Sequence, residues 1–150
     1  IHTANNALLV DADTADIDNC VMTASEYWAE VSSHLNEWNQ VRKGKISAKE
    51  VREDSIHSHG VVLHALGKVG CALIVLPSKD WKKKLVGLAE IDWSRANAKV
   101  WEGRALVNGR VSKANQNVTL TTNQIKKYVG LALTPEEQMV EDAFGRGEYD

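Results

Sequence analysis

The chain predicts a mainly α-helical fold, and three observations carry that reading. Helix-start signals recur along it. Thr23-Ala24-Ser25-Glu26 and Ser47-Ala48-Lys49-Glu50 are capping boxes, and Thr134-Pro135-Glu136-Glu137 sets a cap, a first-position proline and first-turn acids in a row. Apolar residues follow these signals at helical spacing. One run, from Val61 to Pro77, is apolar nearly all round, the pattern of a buried helix. The expected architecture is a compact bundle of about five helices, with an irregular Trp/Arg-rich segment packed across it over residues 91–121. The 150 residues suffice for one domain with a sizeable core. Residues 23–150 are expected to form that domain, a C-terminal helical one, and residues 1–22 read as a linker or the end of a preceding helix.

Ala4, Ala7 and Leu8 have helical spacing, as the tail of a helix arriving from earlier sequence would. Asp11, Asp13, Asp16 and Asp18 alternate as in a calcium loop but lack its central glycine and closing glutamate, so they read as a solvated linker or helix start. Behind Thr23, residues Tyr27, Val31, Leu35, Trp38 and Val41 share a face, which predicts a helix over 24–43 stopped by Gly44. Trp28 and Trp38 read as core anchors. From Ser47 a second helix is predicted through Leu76, kinked at Gly60 and ended by Pro77. Gly67 and Gly70 inside it each cost about 1 kcal/mol relative to alanine, so a close backbone approach is expected there. Ser78 caps a third helix, with Trp81, Leu85 and Leu88 inward and Lys82, Lys83 and Lys84 outward. Residues 114–122 read as a short extended piece, and Thr121 or Thr122 as the cap of a helix over 123–129 closed by Gly130. After Thr134 the last helix turns Met139, Val140, Ala143 and Phe144 inward.

The net charge of −2 hides an uneven layout. Residues 1–41 carry seven acids and no Lys or Arg, residues 78–115 carry nine cations against four acids, and residues 134–150 carry six acids and one Arg. Such an order can present one positive face on a near-neutral molecule. Cys20 and Cys71 have neither metal spacing nor a disulfide framework and read as free thiols in a reducing cytoplasm. No stretch of apolar residues is long enough to span a membrane. Ile1 stands where a complete gene product would have Met, which fits a truncated or processed chain.

His57, His59 and His64 do not assemble a metal site. On a helix His57 and His59 point to different faces, and His57 and His64 lie about 10 Å apart along the axis. Glu53 and His57 make at most a two-ligand pair, so neither metal nor cofactor is expected. Phosphate loops of Walker or dinucleotide type, a G-x-S-x-G elbow and H-E-x-x-H are all missing, and no nucleophile and base come together.

The segment 91–113, IDWSRANAKVWEGRALVNGRVSK, organises the rest. Trp93 and Trp101 bracket residues that accept tight or left-handed backbone, namely Asn97, Gly103, Asn108 and Gly109. Large aromatics in such a segment tie it to a core. Arg95, Lys99, Arg104, Arg110 and Lys113 are interleaved with them, and a fixed loop so charged suits a phosphate backbone. Lys82, Lys83 and Lys84 would extend the same ridge. Asp92 reads as a turn cap or a partner of Arg104 or Arg110.

These residues also carry a resemblance. Asp92-Trp93, Trp101-Glu102-Gly103-Arg104, Gly109-Arg110 and Ser112-Lys113, with Tyr27-Trp28, Trp38, Arg52 and His59-Gly60 upstream, stand in the order seen in the DndB family, the DGQHR-type proteins of bacterial DNA phosphorothioation systems. The chain resembles that family over roughly residues 24–143. The DGQHR signature, which lies in the N-terminal half of such proteins, is absent, so the chain looks like the C-terminal portion of a longer one. The resemblance implies a DNA-binding regulator of the modification genes, with Arg52 and His59 as buried or half-buried groups that help hold the Trp-bracketed segment. Its partners would be DNA, the N-terminal half and other proteins of the system, with homo-oligomers left open. Two other classes stay open: an assembly domain that docks through its acidic ends and the Trp28/Trp38 helix, and part of a nucleotide-dependent enzyme lined by Arg52, His59 and Asp92.

Overall fold

A computed structural model describes residues 2–148. Among them are nine α-helices, one 3-10 turn and one two-stranded sheet. The first helix, α1 (His2–Leu8), buries Ala4 and Leu8. A loop carrying Asp11 and Asp13 leads to α2 (Ile17–Ser33), capped by Asp16, whose carboxylate accepts from Asn19 N. The helix therefore starts a turn and a half before the Thr23 capping box, and the boundary expected between residues 22 and 23 falls inside it. Nor does it run on to Lys43. Leu35 is extended, and a separate α3 (Asn36–Arg42) follows. Leu35 stays fully in the core while the chain re-aims Trp38.

The Ser47–Glu50 capping box forms as read and opens α4 (Ala48–Asp54). The predicted continuation through a kink at Gly60 does not occur. Residues 55–59 leave the helix altogether, and α5 (Gly60–Leu73) begins anew. The physical reason is long-range. Ser55 pairs with Ser94 in an antiparallel bridge, Ile56 N donates to Trp93 O (2.9 Å) and Arg95 N donates to Asp54 O (2.9 Å). Residues 93–95 thus replace the helical hydrogen bonds that 54–56 forgo.

α5 is the central helix, buried at Val61, Val62, Ala65, Leu66, Val69 and Leu73. Two of its glycines admit neighbours. A Cβ at Gly67 would stand 2.3 Å from Ala4 O on α1, and one at Gly70 would stand 2.5 Å from both Leu8 and Tyr27. Tyr27 reaches across to donate to Leu66 O (2.5 Å), and burial pushes its phenol pKa upward.

α6 (Ser78–Leu85) starts with Pro77 rather than Ser78 as its cap residue and passes into the 3-10 turn Val86–Glu90. Trp81, Leu85 and Leu88 are buried. The irregular segment follows, holding a one-turn α7 (Ala98–Trp101) and a hairpin of β1 (Leu106–Val107) and β2 (Arg110–Val111). Asn108 and Gly109 form its turn, both with positive φ (51° and 74°), as a two-residue hairpin of this kind requires.

The expected extended piece at 114–122 is instead the first half of α8 (Asn115–Val129). Its β-branched Val118, Thr121 and Thr122 are poor helix formers, but all three are buried, and packing overrides propensity. Thr122 Oγ1 satisfies itself on Val118 O (2.8 Å). Gly130, with φ 73°, closes α8 as read. α9 (Pro135–Gly145) has its complete Thr134–Glu137 capping box. Its inward face differs from the expected one: Met139 is 71% exposed and the buried residue is Glu137. Cys20 and Cys71 are free thiols. Among the described residues no helix is long and apolar enough to cross a membrane.

Candidate nucleic-acid interface

A ladder of rings fixes the irregular segment. Trp38 meets His57 edge-on at 5.8 Å, His57 lies 5.7 Å from Trp93, and Trp93 stacks on Trp101 at 5.5 Å with planes 9° apart. Trp93 and Trp101 are both buried. Each end of the ladder is pinned by an indole N–H: Trp38 Nε1 donates to Ser58 Oγ (3.0 Å) and Trp101 Nε1 to Asp92 O (2.8 Å). His57 is wholly buried and donates through Nε2 to Glu37 Oε2 (3.1 Å). Burial lowers its pKa, against the upward pull of Glu37. Asp92 caps the following turn by accepting from Ser94 N, and Glu102 holds the hairpin turn by accepting from Asn108 N and Gly109 N. Neither carboxylate pairs with an arginine among the described residues.

Arg52 and His59 have a role different from the one expected. Arg52 is exposed, donating to Ser58 O (2.7 Å) and lying 3.4 Å from His59 Nδ1, while His59 Nε2 donates back to Arg52 O (2.8 Å). They lock the 52–59 turn to itself. The Trp-bracketed segment is held by the backbone of 54–56 and by His57.

What gathers around His59 is positive charge. Its pKa is lowered first by burial and then by the cations of Arg52, Arg95 and Lys113. Lys113 lies along Gly60, its Cε 3.0 Å from where a Cβ would stand. Arg52, Arg95 and Lys113 therefore share a corner at the start of α5. Lys99 and Arg110 are exposed on α7 and the hairpin of the same segment. Among the described residues none of these five cations is in an ion pair.

The other expected cations are placed elsewhere. Arg104 is 7% exposed, forked onto Glu141 (2.7 and 3.0 Å) and packed over the Phe144 ring, because the tight turn at Gly103 aims it inward. It leaves the accessible set. Lys82 pairs with Glu26 (2.7 Å), and Lys84 donates to Gly130 O beyond the far end of α8. At 1.5 Å rise per residue that is about 22 Å from the end bearing Lys113, so the lysine run does not continue the corner. Lys83 is exposed there. Sequence reasoning missed His57 as a spacer between indoles, having weighed it only as a ligand. It also missed Glu141. Among the described residues no three His, Cys, Asp or Glu side chains group to hold a metal ion.

A family model described as DndB, DNA-sulfur modification-associated, matches residues 1–132. No curated protein and no solved structure matches the chain.

Proposed function

The chain belongs to the DndB family of DNA-sulfur modification-associated proteins, and from that premise we propose that it is a DNA-binding regulatory component of the modification system, acting on transcription of the modification genes. The observation that carries this reading is the corner at His59, where Arg52 is bonded to the 58–59 turn, the backbone of Arg95 is bonded to Asp54 O and Lys113 lies along Gly60. Cations gathered at one corner, in no ion pair among the described residues, suit phosphate oxygens spaced along a duplex. The ring ladder supplies rigidity: Arg95 follows directly on Trp93-Ser94, whose backbone is bonded to 54–56. Lys99 and Arg110 extend the surface along the same segment.

Fluorescence anisotropy with duplex DNA across a salt series tests it. The double variant Arg95→Ala/Lys113→Ala should shallow the log–log salt slope by about 2, near 0.9 per lost phosphate contact. An unchanged slope removes the corner from the interface. A reporter driven by the modification-gene promoter tests the regulatory half: expression indifferent to the protein would leave DNA binding without regulation.

A specific observation favours the assembly reading as well. Ala4, Trp28, Trp38, Ser58 and Leu63 line an open cleft of about 440 Å³. Both indole nitrogens there are already satisfied, by Asn5 and Ser58, so the rings offer apolar surface. Partners would be the N-terminal half of such proteins or other members of the system. Co-purification lost on Trp28→Ala, with DNA affinity intact, would support that role beside the first.

A further inference from the structure

α9 meets the rest of the molecule through Glu137 and Glu141 and through the Phe144 ring beneath Arg104. Glu137 and Glu141, one turn apart on its inner face, enter a set of donors drawn from two elements. Lys126 Nζ lies 2.6 Å from Glu137 Oε1. Glu141 Oε1 accepts from Arg104 Nη2 (2.7 Å) and Lys127 Nζ (2.7 Å), and its Oε2 accepts from Arg104 Nη1 (3.0 Å) and Asn123 Nδ2 (3.1 Å). A planar guanidinium fork, two ammonium groups and a carboxamide converging on carboxylate oxygens are also the donors that hold a phosphate. Arg104, Asn123, Lys126 and Lys127 lie within the family match, and the two glutamates lie beyond its end at residue 132. α9 has only 11 residues and no buried apolar side chain. A helix so short is marginal alone, so its place depends on this cluster. Burial alone would raise the Glu141 pKa, but the bonds from Arg104, Lys127 and Asn123 hold it at about 2. At neutral pH the cluster is therefore opened by a competing anion rather than by mild acid.

We propose that Arg104, Asn123, Lys126 and Lys127 form a second phosphate site for the DNA backbone, which α9 occupies as an acidic strap until nucleic acid displaces it. This rests on the DNA-binding reading above and adds a gate to it. The strap swings about Gly130, the left-handed residue that ends α8.

The test uses the full chain with Glu137→Gln/Glu141→Gln. Anisotropy with duplex DNA should show about tenfold tighter binding and a salt slope steeper by about 2–3, one step for each released cation. Glu136→Gln/Asp142→Asn makes the same charge change on exposed residues of α9 and should fall well short of that gain. Equal effects of the two pairs, or none from either, would overturn the strap. Should the first pair fail to fold, Thr134→Ala removes only the α9 cap and should tighten binding in the same direction. In the wild-type chain, hydrogen exchange over 135–145 should rise on adding DNA, and a bound complex with those amides still protected would overturn the proposal. If Arg95→Ala/Lys113→Ala is silent while the glutamine pair tightens binding, the corner falls and the strap stands. The reverse pattern sinks the strap alone.

Discussion

His57 spaces two indoles, and its burial there disfavours the charged ring. Burial sets its pKa below the ordinary 6.5, so between the lowered value and 6.5 the unfolded chain takes up a proton that the folded chain refuses. The stability it contributes is complete above pH 6.5 and is lost as the pH falls through that interval. Burial alone would raise Glu37, but the hydrogen bonds from His57 and from its own backbone, with the charge of His57, together outweigh it and the net shift is downward, so its contribution is lost only as the pH falls below the ordinary 4.5. The midpoint of thermal unfolding should therefore drop between pH 7 and 5, and His57→Gln should lessen the drop. Some slope should remain, because burial lowers His59 and His64 as well. His59 offers a direct reading of the interface. Phosphate beside Arg52, Arg95 and Lys113 offsets the charges that depress it, so its NMR-titrated pKa should rise on DNA binding; a fixed value would place the duplex elsewhere. Trp101→Ala should cost about 3–5 kcal/mol in urea unfolding, since a fully buried indole leaves a cavity and takes away one of the two donors to Asp92 O, the other being Asn97 Nδ2.

Element by element, close approach explains the glycines. A methyl at Gly67 would drive into Ala4 O, so Gly67→Ala should lift α1 from α5 at a cost of about 1–3 kcal/mol, read from urea midpoints. Gly87→Ala should do likewise where the 3-10 turn crosses the end of α8, since a Cβ there would stand 2.1 Å from Tyr128 O. Helix beginnings at Ser47 and Thr134 were legible because a cap is written in four consecutive residues. The break at 55–59 was not, because its compensating bonds come from residues 93–95, about forty positions away. The first half of α8 was misread because Thr121 and Thr122 look like strand or cap residues until their burial is known. Of the site, Trp93 and Trp101 were recognisable as anchors, whereas the inward turn of Arg104 was hidden, since a cation reads alike whether solvated or paired. One trace of its partner was present: Glu137 and Glu141 share a face by their spacing, as do Asn123, Lys126 and Lys127.

For the molecule as a whole, the acidic–basic–acidic order of the chain becomes a spatial separation. The acids near Asp11 to Asp18 lie on the loop into α2 and its first turn, Arg52, Arg95 and Lys113 gather at the start of α5, and Glu141 and Glu137 cover Arg104 and Lys126. With a net charge of −2 the protein has no general attraction to DNA, so affinity should depend on which face is presented. The parallel pair Trp93 and Trp101 has an optical corollary. Chromophores stacked 5.5 Å apart with nearly parallel planes are close enough for their transition dipoles to couple. Their shared excitation should write a split band into the circular dichroism of the native chain, and phenylalanine at either position should erase the whole band rather than half of it, giving a spectroscopic gauge of whether the segment is seated.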